Sequence, residues 1–319
     1  MLNAYAVGQC VIVLICLILT KSVDAKPYLS TDTADQWAET PYGLVPLSDI
    51  IAVDQDETVK ILQDRHVAKV IRLTGAIVKD YGVKPQDGLE QVDPYEYAAK
   101  RRMAYLQAKP ASHPNTAEAF YANYPGHTAG AGIKHVKSFS TTWIVPSKPE
   151  KTASKRTYFM WNGLARSALQ PVLQWGRGTA HYAIANWAYV GGKYVHGKYI
   201  EVDPGIQLTG NISLESHDEN GWEYKESFLG YSRADLYVPR QSEANDVMEC
   251  FEAYTQNLSE WPANLYTSMD HISLSLWQGT LPTKLNWYVR GRFIPTPSGN
   301  NTVIVKKSPN DGRIDFYFH

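Results

Sequence analysis

After residue 135 the chain carries short runs of alternating apolar and polar residues, separated by Gly, Pro, Asn and Asp. This period of two is typical of β-strands with one buried face, and the interruptions are typical of turns. The predicted strands cover residues 139–145, 157–161, 172–175, 182–190, 199–202, 206–214, 222–228, 234–238, 272–277, 285–289, 302–306 and 314–318. Residues 244–254 (ANDVMECFEAY) are predicted as one short helix. The pattern predicts a mainly β protein, an antiparallel β-sandwich.

The region before residue 110 has a different pattern. Apolar residues between Asp56 and Gly82 recur at steps of three and four, which predicts a helix. A second helix is predicted over residues 93–108, with Asp93 as N-cap and Pro94 at the first helical position. The expected organisation is a helical N-terminal region over residues 26–110, a linker over 111–134 rich in Pro, Gly and Ala, and a sandwich over 135–319. The basic triplet at 100–102 is either a solvated helix face or a processing site that would make 26–110 a propeptide.

Residues 1–25 are predicted to be a signal peptide. The apolar run at 10–19 is too short to span a bilayer, and Val23 and Ala25 fit the small-residue positions of a cleavage site. The protein is therefore expected to be secreted and extracellular, without a membrane segment after signal removal. Cys250 would be the only cysteine of the mature chain, either as a buried small side chain or in an intermolecular bridge. Sequons at Asn211, Asn257 and Asn300 are candidate glycosylation sites.

Composition and motifs exclude several function classes. The net charge of -1 gives no electrostatic case for nucleic acid or an anionic membrane surface. The nine histidines show no paired metal-ligand spacing, and neither a G-x-S-x-G elbow nor a phosphate-binding glycine loop occurs. No metal or organic cofactor is expected. Glu201 and Asp203 share a strand face, as the acids of sandwich glycosidases do, but Pro204 indicates a turn there.

Glu226 lies in a strand whose other face-sharing residues are aromatic. Strand alternation puts Trp222, Tyr224, Glu226 and Phe228 on one face. A carboxyl group among aromatic rings tends toward a raised pKa, which suits acid–base catalysis. The alternative is an edge position at which Glu226 reaches solvent.

Residues 161–187 are the most aromatic stretch of the chain and contain amides within runs typical of sheet core. Val172-Leu173-Gln174-Trp175 is a strand-like run closed by Gly176. The Gln174 amide is either a satisfied polar group of a sheet or a functional group.

These segments together resemble the glutamic peptidases of the eqolisin type, which are secreted sandwiches of concanavalin-like, jelly-roll architecture. The resemblance runs in order through Trp161-Asn162-Gly163, Val172 to Gly176, the aromatic strand 181–190, Asp203 to Ile206, and Lys225 to Phe228. It implies that Gln174 and Glu226 are the catalytic pair and that Trp161 lines the cleft. It also implies that the N-terminal region is a propeptide. The chain departs from the family's acidic positions at Ala165 and Gly178.

Two functions follow as hypotheses. The first is an acid endopeptidase that activates water with Gln174 and Glu226 and acts on polypeptides. The second is a non-catalytic extracellular protein that binds a peptide, a polysaccharide or another matrix polymer. The substrate-binding surface expected in both cases consists of Trp161, Trp175, Trp187, Trp222 and Tyr224. The two hypotheses differ in whether Gln174 and Glu226 can share one water.

Overall fold

The structure is a computed structural model, and it describes most of the chain after residue 36. The described residues are 37–62, 66–82, 94, 95, 98, 100, 126–152, 157–165, 168–176, 180–219, 221–240, 242–254, 257–264, 266–290 and 302–318. The predicted signal peptide lies outside them. No helix in these ranges is long and apolar enough to cross a membrane.

The described elements are almost all strands. In chain order they are β1 (Trp37–Thr40), β2 (Gly43–Pro46), β3 (Ile50–Ala52), β4 (Glu57–Ile61), β5 (Val67–Ile71), β6 (Ile77–Asp80), β7 (Gly126–Ala131), β8 (Val136–Ile144), β9 (Tyr158–Gly163), β10 (Leu169–Trp175), β11 (Tyr182–Val190), β12 (Lys193–His196), β13 (Ile200–Val202), β14 (Gln207–Asp218), β15 (Gly221–Phe228), β16 (Leu236–Arg240), β17 (Val247–Ala253), β18 (Tyr266–Leu276), β19 (Tyr288–Arg290), β20 (Thr302–Lys306) and β21 (Gly312–Tyr317). Short 3-10 helices cover Leu47–Asp49, Ser232–Ala234 and Leu258–Glu260.

Two large sheets form the body of the protein. The nine-stranded sheet has the order β19-β7-β17-β9-β10-β11-β12-β3, with β13 paired to β11. The seven-stranded sheet has the order β16-β15-β14-β8-β18-β21-β20. All pairs in both sheets are antiparallel except β12 with β3. The prediction of a mainly β protein built from antiparallel sheets is confirmed.

The predicted helix at 56–82 is wrong, because this region forms a three-stranded sheet of β4, β5 and β6. Turns at 55–56 and 72–74 interrupt the apolar spacing that suggested a helix, and Gly75 adopts a φ of 71°. The β-branched residues Val59, Val67 and Val70 bury their side chains from strands instead. Of the second predicted helix, Pro94, Tyr95, Ala98 and Lys100 are described, with helical backbone; the rest lies outside the described residues.

Two segments of the nine-stranded sheet were not predicted as strands. The helix predicted at 244–254 is wrong, because β17 occupies Val247–Ala253 and pairs with β7 and β9. β7 itself lies in the segment that the sequence suggested as a linker. Glu249 and Glu252 of β17 are three residues apart, a spacing that a helix also places on one face.

The main core lies between the two large sheets. Leu173 and Ile184 of the nine-stranded sheet and Phe139, Ile212 and Tyr224 of the seven-stranded sheet belong to it. The sheets approach closely at Gly210 in β14. A Cβ there would lie 2.5 Å from Asn162 Oδ1, 2.8 Å from Trp143 Cη2 and 2.9 Å from Pro171 Cβ. Only glycine fits this contact without displacement of the opposite sheet.

Candidate functional site

The nine-stranded sheet has two buried faces with different surroundings. We call the face turned toward the seven-stranded sheet the inner face, and the opposite one the outer face. Leu169, Leu173 and Trp175 of β10 lie on the inner face in the main core. Val172 lies on the outer face, in a second apolar cluster with Ala185. Strand alternation therefore assigns Gln170 and Gln174 to the outer face.

Gln174 is directly opposite Phe159 on one side and Ala183 on the other. Both neighbours belong to the outer-face cluster. Phe159 is in turn opposite Glu252 of β17. Gln174, Phe159 and Glu252 thus form one row across three adjacent strands, with the amide and the carboxyl group at its ends. At the usual spacing of sheet strands, the two backbones are about 10 Å apart.

The outer face combines aromatic rings with polar atoms that lack hydrogen bonds. Its aromatic members include Phe159, Trp161, Trp187, Tyr189 and Tyr194. The atoms without a partner are Gln174 Oε1, both amide atoms of Gln170, and the indole N–H groups of Trp161 and Trp187. Each of these residues is at most 2% exposed. A buried polar group without a partner costs about 1–3 kcal/mol, so a surface that carries several of them is equipped to bind a polar ligand.

Glu226 lies on the opposite side of this sheet. It projects from β15 into the main core between Tyr224 and Phe228, and it is fully buried. Asn186, on the inner face of β11, donates a hydrogen bond to the Glu226 backbone oxygen at 3.1 Å. The two carboxyl oxygens make no hydrogen bond of ordinary geometry, although the backbone N–H groups of Gln170 and Trp187 lie close enough to favour the charged form. Burial is the larger effect, and it raises the pKa of Glu226 well above its usual value.

The placement of Glu226 corrects the pairing expected from the sequence. Gln174 and Glu226 belong to different sheets, and strand alternation puts Gln174 on the outer face while Glu226 projects into the main core from the other side. The aromatic face proposed for β15 does exist, but it is part of the main core.

The predicted aromatic surface is divided in the same way. Trp161 and Trp187 lie with Gln174 on the outer face. Trp175 is on the inner face, where its ring centroid is 4.8 Å from that of Tyr182. Tyr224 is in the core and accepts a hydrogen bond from Ala244 N–H at 2.9 Å. Trp222 is half-buried at the end of β15, stacked on His217.

Glu252 is the residue that sequence reasoning missed. It is buried, and it accepts a hydrogen bond from the Tyr95 hydroxyl at 3.3 Å. The alternation of Met248, Cys250 and Glu252 was visible in the sequence, but the segment was interpreted as a helix. Once β17 is recognised as a strand, alternation alone assigns Glu252 to the same face as Cys250.

A second unpredicted carboxyl group, Glu249, lies on the inner face of β17. Among the described residues, Glu249 Oε1 accepts a short hydrogen bond from the Thr141 hydroxyl at 2.5 Å, and Oε2 has no partner. Burial raises the pKa of Glu249 well above its usual value, and the Thr141 hydrogen bond opposes this shift. Burial therefore favours the neutral form of both Glu249 and Glu226.

The remaining predicted sites have simple surroundings. Cys250 is buried on the outer face without a disulfide, 3.4 Å from the Thr128 hydroxyl. Asn211 is half-buried on β14, Asn257 is exposed, and Asn300 lies outside the described residues. Glycosylation at these positions stays a prediction.

One group of described residues could supply ligands to a metal ion. It consists of Asp270, His271 and Asp311 at the surface of the seven-stranded sheet. The Lys306 ammonium group already forms an ion pair with Asp311. His271 and Asp311 also bond each other, so the group is explained as a surface ion-pair network.

Comparisons with known proteins give matches among solved structures alone. No family model and no curated protein matches the chain. A scytalido-glutamic peptidase with a peptide-based transition state analog is similar at 12% identity and a TM-score of 0.40, over 60% of this chain and 98% of the peptidase. SCP-B, a member of the eqolisin family of peptidases in complex with the tripeptide Ala-Ile-His, is similar at 12% identity and a TM-score of 0.39, over 61% and 98%. A scytalido-glutamic peptidase with a transition state analog inhibitor gives 13% identity and a TM-score of 0.36, over 62% and 98%. The resemblance to glutamic peptidases is thus partial.

Proposed function

We propose that the chain is a secreted acid endopeptidase whose reaction takes place on the outer face of the nine-stranded sheet. Gln174 supplies the amide, as the sequence suggested, and Glu252 replaces Glu226 as the carboxyl partner. The observation that carries the proposal is the row Gln174–Phe159–Glu252, in which a buried amide with an unpartnered oxygen and a buried carboxyl group share one face and one level.

The chemistry follows from these two groups. Glu252, in its ionised form, takes a proton from a water molecule whose oxygen attacks the carbonyl carbon of the peptide bond. The Gln174 amide nitrogen donates a hydrogen bond to the oxyanion that develops there. The proton on Glu252 then passes to the leaving nitrogen as the C–N bond breaks. The resulting products are a carboxylic acid and an amine, and every atom of the step comes from water and the peptide.

The aromatic surroundings favour a polypeptide as substrate. Trp161, Trp187 and Tyr189 offer large apolar contact areas, and the unpartnered Gln170 amide and indole N–H groups can bond to peptide carbonyl and N–H groups. An extended peptide presents both kinds of group at regular intervals.

The test is hydrolysis of denatured protein between pH 2 and 5 by wild type, Glu252→Gln, Gln174→Ala and Glu226→Gln. The first two variants are expected to lose about 100-fold or more in kcat, because each removes a group that acts in the transition state. Glu226→Gln is the matched control: an equally buried carboxyl group on the other side of the sheet, which should leave kcat within about threefold. Loss of activity in Glu226→Gln with retention in Glu252→Gln would contradict the proposal.

A second candidate function is supported by the position of Phe159. Its side chain shares the face between Gln174 and Glu252, and such a ring suits a surface that holds a polymer without cleaving it. A folded protein that binds denatured polypeptide or a matrix polysaccharide at acid pH, and releases no new termini detectable by mass spectrometry, would favour this non-catalytic function.

A further inference from the structure

The outer face is buried because other parts of the same chain lie on it. The Tyr42 hydroxyl donates a hydrogen bond to the Trp187 backbone oxygen at 3.0 Å and also approaches the Ala168 oxygen at 3.3 Å. The Tyr42 ring packs 5.2 Å from Tyr194 and 6.3 Å from Trp187, measured between centroids. Thr40 is held at the same face, because its backbone oxygen accepts a hydrogen bond from the Tyr254 hydroxyl at 2.6 Å.

A second piece of the N-terminal region covers the carboxyl end of the proposed site. The Tyr95 hydroxyl donates to Glu252 Oε2, and its ring lies 6.5 Å from Trp161. The Tyr194 hydroxyl donates to the Pro94 oxygen at 3.1 Å. Ala98 is buried in the outer-face cluster. The N-terminal region thus supplies a side chain that contacts Glu252.

The residues between these two pieces have a different role. β3 extends the nine-stranded sheet as a parallel partner of β12. Ile51, Val59 and Val67 are fully buried in the main core. The Thr58 hydroxyl donates to the Tyr237 oxygen on β16. The described residues between 50 and 80 are therefore part of the sandwich body.

The covering pieces are attached differently. Among the described strands, β1 and β2 pair with each other alone, in a two-stranded sheet separate from both large sheets. The covering side chains described above hold to the outer face through tyrosine hydroxyl bonds and ring packing. Displacement of these pieces would break no strand pairing of either large sheet, whereas removal of residues 50–80 would open the main core.

We propose that residues 37–46 together with Pro94, Tyr95 and Ala98 form a two-part autoinhibitory cover over the outer face. Residues 50–80, between the two parts, stay with the active protein. This inference rests on the proposed function, because the activity that the cover inhibits is the proposed peptidase activity. It replaces the expectation that residues 26–110 act and leave as one propeptide. A polypeptide substrate would take the place of Tyr42 over Trp187 and of Tyr95 beside Glu252.

The experiment measures access to Cys250, which lies in the outer-face cluster and is buried without a disulfide. Alkylation of Cys250 by a maleimide, followed by peptide mass spectrometry, reports the opening of the cover whether or not the protein is an enzyme. In the double variant Tyr42→Ala/Ala98→Glu, Cys250 should be alkylated at least about tenfold faster than in wild type. The variant removes a buried ring and puts a charge where the cover packs on the outer face. Peptidase activity should rise in parallel. If the first variant does not fold, the milder pair Tyr42→Phe/Tyr95→Phe replaces it. This pair keeps both rings and should give a smaller increase in the rate of Cys250 alkylation.

The matched control is Arg72→Ala. Arg72 forms an ion pair with Glu223 and lies 3.5 Å from the centre of the Tyr237 ring, so it fastens the retained segment to the seven-stranded sheet. This variant should change neither Cys250 alkylation nor peptidase activity. If the cover variants fold and Cys250 is alkylated no faster than in wild type, residues 37–46, Pro94, Tyr95 and Ala98 do not form a cover. If wild type has full peptidase activity while Cys250 is protected from alkylation, the cover does not inhibit the enzyme. Faster alkylation without any peptidase activity would support the cover and count against the proposed function.

Discussion

The two faces of the nine-stranded sheet are equally buried, but different parts of the chain bury them. The inner face packs against the seven-stranded sheet, and the main core between them encloses Glu249 of the inner face and Glu226 of the opposing sheet. The outer face is covered by Tyr42, Tyr95 and Ala98 from the N-terminal region. Its Gln174 amide and its Trp161 and Trp187 indoles have polar atoms without partners.

The difference shows why burial by itself did not identify the site. An unpartnered polar group in the main core lowers stability and has no route to a ligand. The same group beneath a displaceable segment can bind a ligand once that segment moves. The predictions below compare the two faces.

The largest expected effect is in the main core, which the inner face shares with the seven-stranded sheet. Trp143→Ala removes a fully buried indole that packs on Phe228 and lies against Gly210. We expect a loss of about 3–5 kcal/mol in the free energy of unfolding, measured by urea denaturation. A loss below about 1 kcal/mol would show that the two sheets are not packed together at this point.

The pH dependence of stability should also arise on the inner face. Burial lowers the pKa of His127 to about 4 from 6.5. The unfolded chain therefore binds more protons between these values, so up to about 3 kcal/mol of stability is lost as pH falls from about 6.5 to about 4. His127→Phe should flatten this part of the curve of unfolding free energy against pH. An equally steep curve for His127→Phe and wild type would contradict this assignment.

Glu226 and Glu249 should act in the opposite direction. Their raised pKa values mean that the folded protein binds more protons above the ordinary glutamate pKa. The contribution of these two groups to stability is then greatest at acid pH and is lost as the pH rises above about 4.5. Glu249→Gln should remove part of this fall while keeping the shape of the side chain. A steeper fall in the variant than in wild type would contradict the assignment.

A smaller effect is expected where the inner faces of the two sheets meet. Gly210→Ala introduces a Cβ that must displace Asn162, Trp143 or Pro171. We expect a loss of about 1–3 kcal/mol in the free energy of unfolding. The control is Ser213→Ala, on the solvent side of the same strand, β14. Gly230→Ala is unsuitable as a control because Gly230 has a φ of 85°, which strains any other residue. Equal stability of Gly210→Ala and wild type would show that the sheets can separate without cost.

The smallest effect is expected on the outer face. Tyr95→Phe removes one hydrogen bond to Glu252 and keeps the ring. The contribution of such a bond is about 0.5–1.5 kcal/mol, which corresponds to an increase of about 2- to 12-fold in Cys250 alkylation if the cover opens locally. The global unfolding free energy should change by no more than this amount. A large drop in the global unfolding free energy with unchanged Cys250 alkylation would contradict this prediction, because Tyr95 would then stabilise the whole fold and not the cover alone.

Strand positions after residue 135 were largely predictable from the sequence. Residues 182–190 and 302–306 were predicted with the boundaries of β11 and β20. β8, β14 and β15 were found with shifted ends. Their alternation is strong because one face of each meets the core. β7 was missed because its sequence is rich in Gly and Ala, and β17 because its segment was predicted as a short helix.

The candidate site was predictable in part. Gln174, Trp161 and Trp187 were singled out from the sequence, and they do share one face. Glu226 was chosen because a carboxyl group among aromatic residues is unusual. Alternation with a period of two shows which residues of one strand share a face. It does not show which side of the other sheet that face packs against.

The sequence alone determined the β class, the strand alternation and the presence of amide and carboxyl groups within apolar strands, because these are local properties of a chain with period two. Tertiary structure decided which carboxyl group lies on the same face as Gln174, since that depends on strand order and register between residues far apart in the chain. It also decided that Tyr42 and Tyr95 cover that face while residues 50–80 join the body. Such contacts connect segments more than 100 residues apart, and no local pattern in the sequence encodes them.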